Sequence, residues 1–317
     1  MTGMINLVAN EVVKTKTEEI SKVVLDTAVD KVEQFIHDNY GELPKKVIIE
    51  VGNSEPRVIN GVVHEQFDKV LTAVMKHIPV FLVGAAGTGK NVIASQVAET
   101  MGLPFYFSNA VTQEYKITGF TDANGVYQET PFYKAYTGGG VFMLDEVDAS
   151  IPDVLVTLNA AISNGYADFP APIGNVKMHK DFYLIAAGNT FGLGADYDYV
   201  GRNVLDKATL NRFITIPIDY SPAIEEAMAG KDADLLGFCR AFRKATRKAG
   251  IREICSYRNI KYMADLSDGM ETEDIMDFCL TSSMKVDDMR MIESDIGGFG
   301  RWSAAFRNVV IRKAAMA

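Results

Sequence analysis

The sequence predicts an α/β protein: a three-layer fold on a parallel sheet, followed by a small all-α lid. Three observations predict it. Short apolar runs of strand length recur at residues 80–83, 141–144 and 182–187, each ending in a polar or glycine-rich loop. Between them lie stretches with helical apolar spacing, such as 92–99 and 152–162. From about Ser221 the strands stop, and helical patterns follow at 223–228, 233–248, 258–266, 271–282 and 300–315. The expected division is therefore an extension over 1–59, an α/β core over 60–220 and a helical lid over 221–317.

The first strand runs into Gly84-Ala85-Ala86-Gly87-Thr88-Gly89-Lys90-Asn91-Val92. A strand, a G-x-x-x-x-G-K loop and a helix form the context in which this motif predicts phosphate binding. Gly84, Gly87 and Gly89 lack Cβ, so the backbone can wrap a polyphosphate with its N–H groups turned inward. The helix that opens at Lys90 adds the positive end of its dipole, and Lys90 supplies an ammonium for the terminal phosphates. The position after the lysine usually carries Ser or Thr, whose hydroxyl meets Mg²⁺. Here it is Asn91, whose side-chain carbonyl is also a hard oxygen donor but is carried on a longer side chain. Asn91 therefore predicts either ordinary Mg²⁺ binding through the amide oxygen or a nucleotide-binding protein that hydrolyses weakly.

The run at 141–144 ends in Asp145-Glu146, and the run at 182–187 ends in Gly188-Asn189-Thr190. In an open α/β sheet, ligands sit beyond the strand C-termini. That rule puts Asp145 where a carboxylate holds Mg²⁺, Glu146 where it polarises an attacking water, and Asn189 where an amide senses the γ-phosphate. An apolar run followed by Asp-Glu is weak by itself; downstream of a phosphate loop it is a strong signal.

Composition bounds the rest. The chain has 317 residues, 48% hydrophobic and 23% charged, with a net charge of −9. The acidic balance argues against a nucleic-acid coat or a membrane-surface binder, though not against a local basic pore. No apolar run approaches a membrane span, and the N-terminus lacks the layout of a secretory signal, so a cytoplasmic location is expected. The three cysteines, Cys239, Cys255 and Cys279, show no metal-ligand spacing and suit a reducing compartment. Before the core, residues 17–40 read as a helix from Thr17 to the stop at Gly41, and 46–51 as a strand followed by a turn over 53–57. Within the core, 66–77 reads as a helix and 104–108 as a strand. Asp122-Ala123-Asn124-Gly125 signals a hairpin, and 166–178, with Pro170, Pro172 and Gly174, another. Residues 204–212 read as a short helix and 214–218 as the last strand. The basic stretch Arg240, Arg243, Lys244, Arg247 and Lys248 is expected to be a solvated helix face.

The motif set resembles the AAA-plus ATPases, and within them the MoxR-like and cobaltochelatase-ATPase (dynein-related) branch, over about residues 60–310. The resemblance rests on Gly84 to Lys90, Leu144-Asp145-Glu146, Asn189, Arg212-Phe213 and Ser256-Tyr257-Arg258. The segments 109–140 and 165–180 are similar to that branch's helix-2 and pre-sensor inserts on a P-loop NTPase core, and 109–150 resembles phage- and prophage-encoded members. The resemblance implies ATP and Mg²⁺ as cofactors. It also implies a homo-oligomeric ring, usually of six, with an unidentified protein substrate or adaptor; nucleic acid is not favoured. It casts Glu146 and Lys90 as catalytic and Asn189 as a sensor. Arg212 becomes an arginine finger reaching the neighbouring subunit's nucleotide, and Arg258 a second sensor in its own subunit. Arg202, in the loop before the same short helix, is a rival for the finger.

Overall fold

In a computed structural model, residues 62–197 and 199–316 are described, together with the backbone of two short strands before them. These strands, β1 (Val47–Ile49) and β2 (Arg57–Ile59), pair antiparallel. Arg57, the last residue of the turn expected at 53–57, stands in the second strand, and the rest of that turn lies outside the described residues. The helix expected over 17–40 lies outside the described residues.

The core begins with α1 (Phe67–Met75), β3 (Val80–Val83), α2 (Lys90–Met101) and β4 (Phe105–Ser108). A short helix α3 (Tyr115–Thr118) leads to the hairpin of β5 (Phe120–Thr121) and β6 (Tyr127–Gln128), then to α4 (Pro131–Gly138) and β7 (Gly140–Leu144). After α5 (Pro152–Asn164) come the hairpin β8 (Tyr166–Phe169) and β9 (Gly174–Lys177), then β10 (Phe182–Gly188), α6 (Lys207–Leu210) and β11 (Ile214–Pro217). Five of these strands form one parallel sheet in the order β11-β3-β10-β7-β4. The sheet is parallel because each connection crosses over through a helix.

Alternation along the buried strands divides the core into two faces. Val80 and Leu82 of β3, Val141 and Met143 of β7, and Ile185 and Ala187 of β10 pack with Phe67, Val70, Ile93 and Val97 of α1 and α2. Phe81, Phe142, Leu144, Leu184 and Ala186 point the other way, onto Phe132 and Tyr136 of α4 and Leu155 and Leu158 of α5. This is the three-layer arrangement expected.

The lid comprises α7 (Pro222–Ala229), α8 (Ala233–Ala249), α9 (Tyr257–Leu266), α10 (Thr272–Met276), α11 (Val286–Ile296) and α12 (Gly300–Met316). The helix expected over 271–282 passes at Asp277 into a π turn over Asp277–Thr281. Helix α11 was not anticipated, because its acidic composition hides the narrow stripe of Met289, Ile292 and Ile296 that it buries. The lid has its own core around Phe238, Phe242, Trp302 and Phe306. Asp232 caps α8 through the Leu235 N–H at 2.8 Å and accepts from Trp302 Nε1 at 3.0 Å, tying α12 to α8. The basic stretch on α8 is largely ion-paired within the lid: Arg240 with Glu225 at 2.7 Å, Arg243 with the same carboxylate, and Lys248 with Asp295 at 2.9 Å. Among the described residues no helix is long and apolar enough to cross a membrane.

Where β3 opens into the phosphate loop, the backbone is crowded. The Gly84 N–H donates to Gly188 O at 3.2 Å, and a Cβ on Gly84 would lie 1.8 Å from the carbonyl oxygen of Ile218. That obstacle is backbone, pinned by the Ile218 N–H to Val83 O bond at 2.7 Å. Gly84→Ala is therefore expected to cost about 3 kcal/mol of unfolding free energy, as overpacking does, read from denaturant midpoints. A change within about 0.5 kcal/mol, the range of ordinary surface substitutions, would contradict this packing.

Candidate nucleotide site

The registers of β3, β10 and β7 bring three strand ends to one edge. Gly188 pairs with Val83, and Ala186 with Leu144. The phosphate loop, Asp145-Glu146 and Asn189 therefore leave the sheet side by side. Gly87 and Gly89 take φ of 74° and 86°, left-handed values open to glycine, and α2 starts at Lys90. A cleft of about 460 Å³ lies over this edge, between core and lid.

Most of the predicted residues line that cleft: Ala86, Gly87, Thr88, Gly89, Lys90, Asn91, Val92, Asp145, Glu146 and Asn189 from the core, and Arg258 from the lid. Gly84 and Ala85 stand behind them; their carbonyls accept from Lys90 Nζ at 2.7 and 2.9 Å. Lys90 also donates to Asn189 Oδ1 at 3.0 Å, which joins the first strand end to the sensor position. Arg212 lies apart from the cleft: its Nε donates to Ser163 Oγ at 3.0 Å and its guanidinium to Ala208 O at 2.5 Å.

The two carboxylates differ in setting. Asp145 accepts from Asn91 Nδ2 at 2.8 Å on one oxygen and from the Glu146 N–H at 2.9 Å on the other. A serine hydroxyl donates and coordinates through one atom. Asn91 divides these capacities, its nitrogen donating to Asp145 and its carbonyl oxygen being a separate hard acceptor. Asp145 and that oxygen are hard donors suited to Mg²⁺, which takes few protein ligands and completes its shell with phosphates and water. Among the described residues there is no cluster of three His, Cys, Asp or Glu side chains that would cage a metal alone. Glu146 sits at φ 50°, ψ 40°, a left-handed conformation unusual for a non-glycine residue.

Several neighbours escaped the sequence reading. Met228, Lys261 and Tyr262 of the lid complete the cleft wall beside Tyr257. Lys261 and Tyr262 follow Arg258 at helical spacings of three and four, so one face of α9 is presented to the core. Helix α9 is fixed by a capping box in which the Ser256 N–H donates to Asn259 Oδ1 at 2.8 Å. Ala86 is held by two tyrosines: its N–H donates to Tyr199 Oη at 2.8 Å, and its carbonyl accepts from Tyr220 at 3.0 Å. Asp148 is wholly buried, and its Oδ2 accepts from the N–H groups of Asn189 and Thr190 at 3.0 and 2.8 Å and from Thr190 Oγ1 at 2.9 Å. Arg202, the rival finger, lies on Glu146 of its own chain at 3.0 Å. Asp148 stands two residues after Glu146 in the sequence, but its burial could not be read there.

This arrangement is the P-loop NTPase fold with an all-helical lid. Within it, residues 79–213 match the family model of the AAA domain of the dynein-related subfamily, a match that ends before the lid. Among solved structures, NtrX from Brucella abortus is 15% identical with a TM-score of 0.44, covering 80% of this chain and 58% of that one. NtrX in complex with ATP is 17% identical at a TM-score of 0.41, covering 79% and 59%. A candidate ATPase from Cytophaga hutchinsonii is 16% identical at 0.41, covering 66% and 60%. The chain thus spans about three fifths of the length of these structures.

Burial lowers the Lys90 ammonium from its ordinary range to about 8, against the opposing pull of Asp145 and Asp148. A bound polyphosphate would favour the charged form again. Nucleotide binding should therefore take up a proton above pH 8, and affinity should fall as pH rises through that value, by up to about tenfold per pH unit. Calorimetric titrations between about pH 7 and pH 9 test this; a flat wild-type profile would contradict it.

Proposed function

We propose that this chain is an ATP-hydrolysing AAA-plus ring motor of the MoxR-like branch, working in the cytoplasm on a protein or nucleoprotein partner. The observation that carries this reading is the single cleft that joins Lys90, Asn91, Asp145, Glu146 and Asn189 of the core to Arg258 of the lid. The phosphate loop and Lys90 would hold the β- and γ-phosphates. Asp145 and Asn91 would hold Mg²⁺, which offsets phosphate charge as the γ-phosphoryl leaves. Glu146 orients the attacking water and draws on its proton; Asn189 fixes the water or the γ-phosphate. Arg258, a forked cation on the lid, reads the terminal phosphate across the cleft, so that bound ATP and lid position are coupled. Arg212, anchored outside its own cleft, is the group offered to a neighbouring subunit, which makes assembly a condition of turnover.

A second reading is a nucleotide-gated assembly scaffold. Its support is Asn91, whose nitrogen is turned to Asp145 where a hydroxyl would otherwise stand. A DNA-stimulated motor gains no comparable support, since the basic stretch on α8 is largely ion-paired within the lid.

The separating experiment is steady-state ATP hydrolysis with Mg²⁺ across protein concentration. The motor reading expects specific activity to rise with concentration. Arg212→Ala should lower it about a thousandfold, and Glu146→Gln at least about a hundredfold with ATP binding retained. Turnover at background with tight ATP binding and ATP-dependent assembly would replace the motor by the scaffold, and Asn91→Thr should then restore hydrolysis. Undiminished hydrolysis in Glu146→Gln would remove that residue's role.

A further inference from the structure

The loop between β10 and α6 returns to the catalytic edge at Arg202. The Arg202 side chain is 13% exposed, and it makes two ion pairs within its own chain: Nη2 to Glu146 Oε1 at 3.0 Å and Nε to Asp148 Oδ2 at 3.4 Å. The residue that follows is locked as well. The Asn203 N–H donates to Asp148 O at 2.7 Å, and Asn203 Nδ2 donates to Ser150 O at 3.0 Å. Arg202 is therefore held against the turn that carries Glu146, unlike an arm extended toward a neighbour. Asp148 needs the cation. It is fully buried, and its Oδ1 has no hydrogen-bond partner among the described residues. A buried carboxylate without a counter-charge is costly.

We propose that Arg202 and Asp148 are positioning residues in cis. They form one buried relay that sets Glu146 and Asn189 in fixed relation, with Arg202 gripping the glutamate and Asp148 gripping the sensor backbone. The left-handed backbone at Glu146 gives the relay a task. A strained turn has alternatives to relax into, and the forked guanidinium holds its side chain in one of them. This inference rests on the hydrolytic reading above for its kinetic consequence, and on the buried pair alone for its structural one. Arg202 thereby leaves the role of trans finger to Arg212.

Two measurements test it. The first needs no turnover: a double-mutant cycle between Arg202→Ala and Asp148→Asn, read by thermal unfolding of nucleotide-free protein. The relay predicts that the double variant loses clearly less than the sum of the two single losses; additive losses would overturn the pair. The second is subunit mixing. Arg202→Ala should lower kcat by about a hundredfold with nucleotide affinity little changed, and Arg202→Lys should recover part of it. Mixing Arg202→Ala with Lys90→Ala, which has an intact Arg202 but a dead phosphate loop, should restore nothing. The control mixture of Arg212→Ala with Lys90→Ala should recover activity. Recovery in the Arg202 mixture would make Arg202 a trans finger and overturn the proposal. If the control mixture also stays silent, the shared-site reading fails, and the unfolding cycle alone decides the relay.

Discussion

The sheet edge beneath the core-lid cleft depends on one buried carboxylate. Asp148 has no exposure to water, yet it carries a carboxylate that must be satisfied from within the protein. Its Oδ2 is met by the chain that leaves the neighbouring strand, through the N–H groups of Asn189 and Thr190 and the Thr190 hydroxyl, with Arg202 as the counter-charge. Since β7 and β10 are parallel neighbours, this crosslink fixes how far beyond the sheet their two loops project. Glu146 and Asn189 then stand at one height, beside Lys90, whose ammonium is itself bonded to Asn189. The glycine-rich loop, Glu146 and Asn189 thus become one surface through a residue that does not line the cleft.

The lid meets that surface through equally close contacts. A Cβ on Gly87 would lie 2.5 Å from the Cβ of Ser256, the residue that caps the lid helix carrying Arg258. Tyr257 reaches back to hydrogen-bond Ser221, where the core chain turns into the lid, and its buried hydroxyl is pushed up to about 12. Tyr220 at that junction holds the phosphate loop at Ala86. A shift of the lid therefore has direct mechanical purchase on the glycine-rich loop, which is the coupling that the proposed motor requires.

Much of this was legible because the chemistry stands at strand ends. A buried parallel strand leaves a short apolar run, and the residue just past it is committed to one sheet edge. That logic located Lys90, Asp145, Glu146 and Asn189 without any contact being known. It does not reach residues whose role is set by distant partners. Asp148 reads as one more acid in a turn, and Arg202 as a loop cation; only the fold brings Arg202 to a glutamate 56 positions away. The lid wall of Met228, Lys261 and Tyr262 was hidden for the same reason, since a helix face has no meaning until its partner is placed. Helix α11 was lost to its charge, and β2 to its brevity.

Equilibrium titration with a fluorescent ATP analogue tests the central claim most directly, because it reads the core-lid cleft before any question of assembly or turnover. Wild-type protein should bind saturably. Lys90→Ala should abolish binding, Arg258→Ala should weaken it from the lid side, and Arg212→Ala should leave it unchanged in dilute protein. Binding that is indifferent to both Lys90 and Arg258 would mean that nucleotide does not occupy this cleft, and the account built on it would fall.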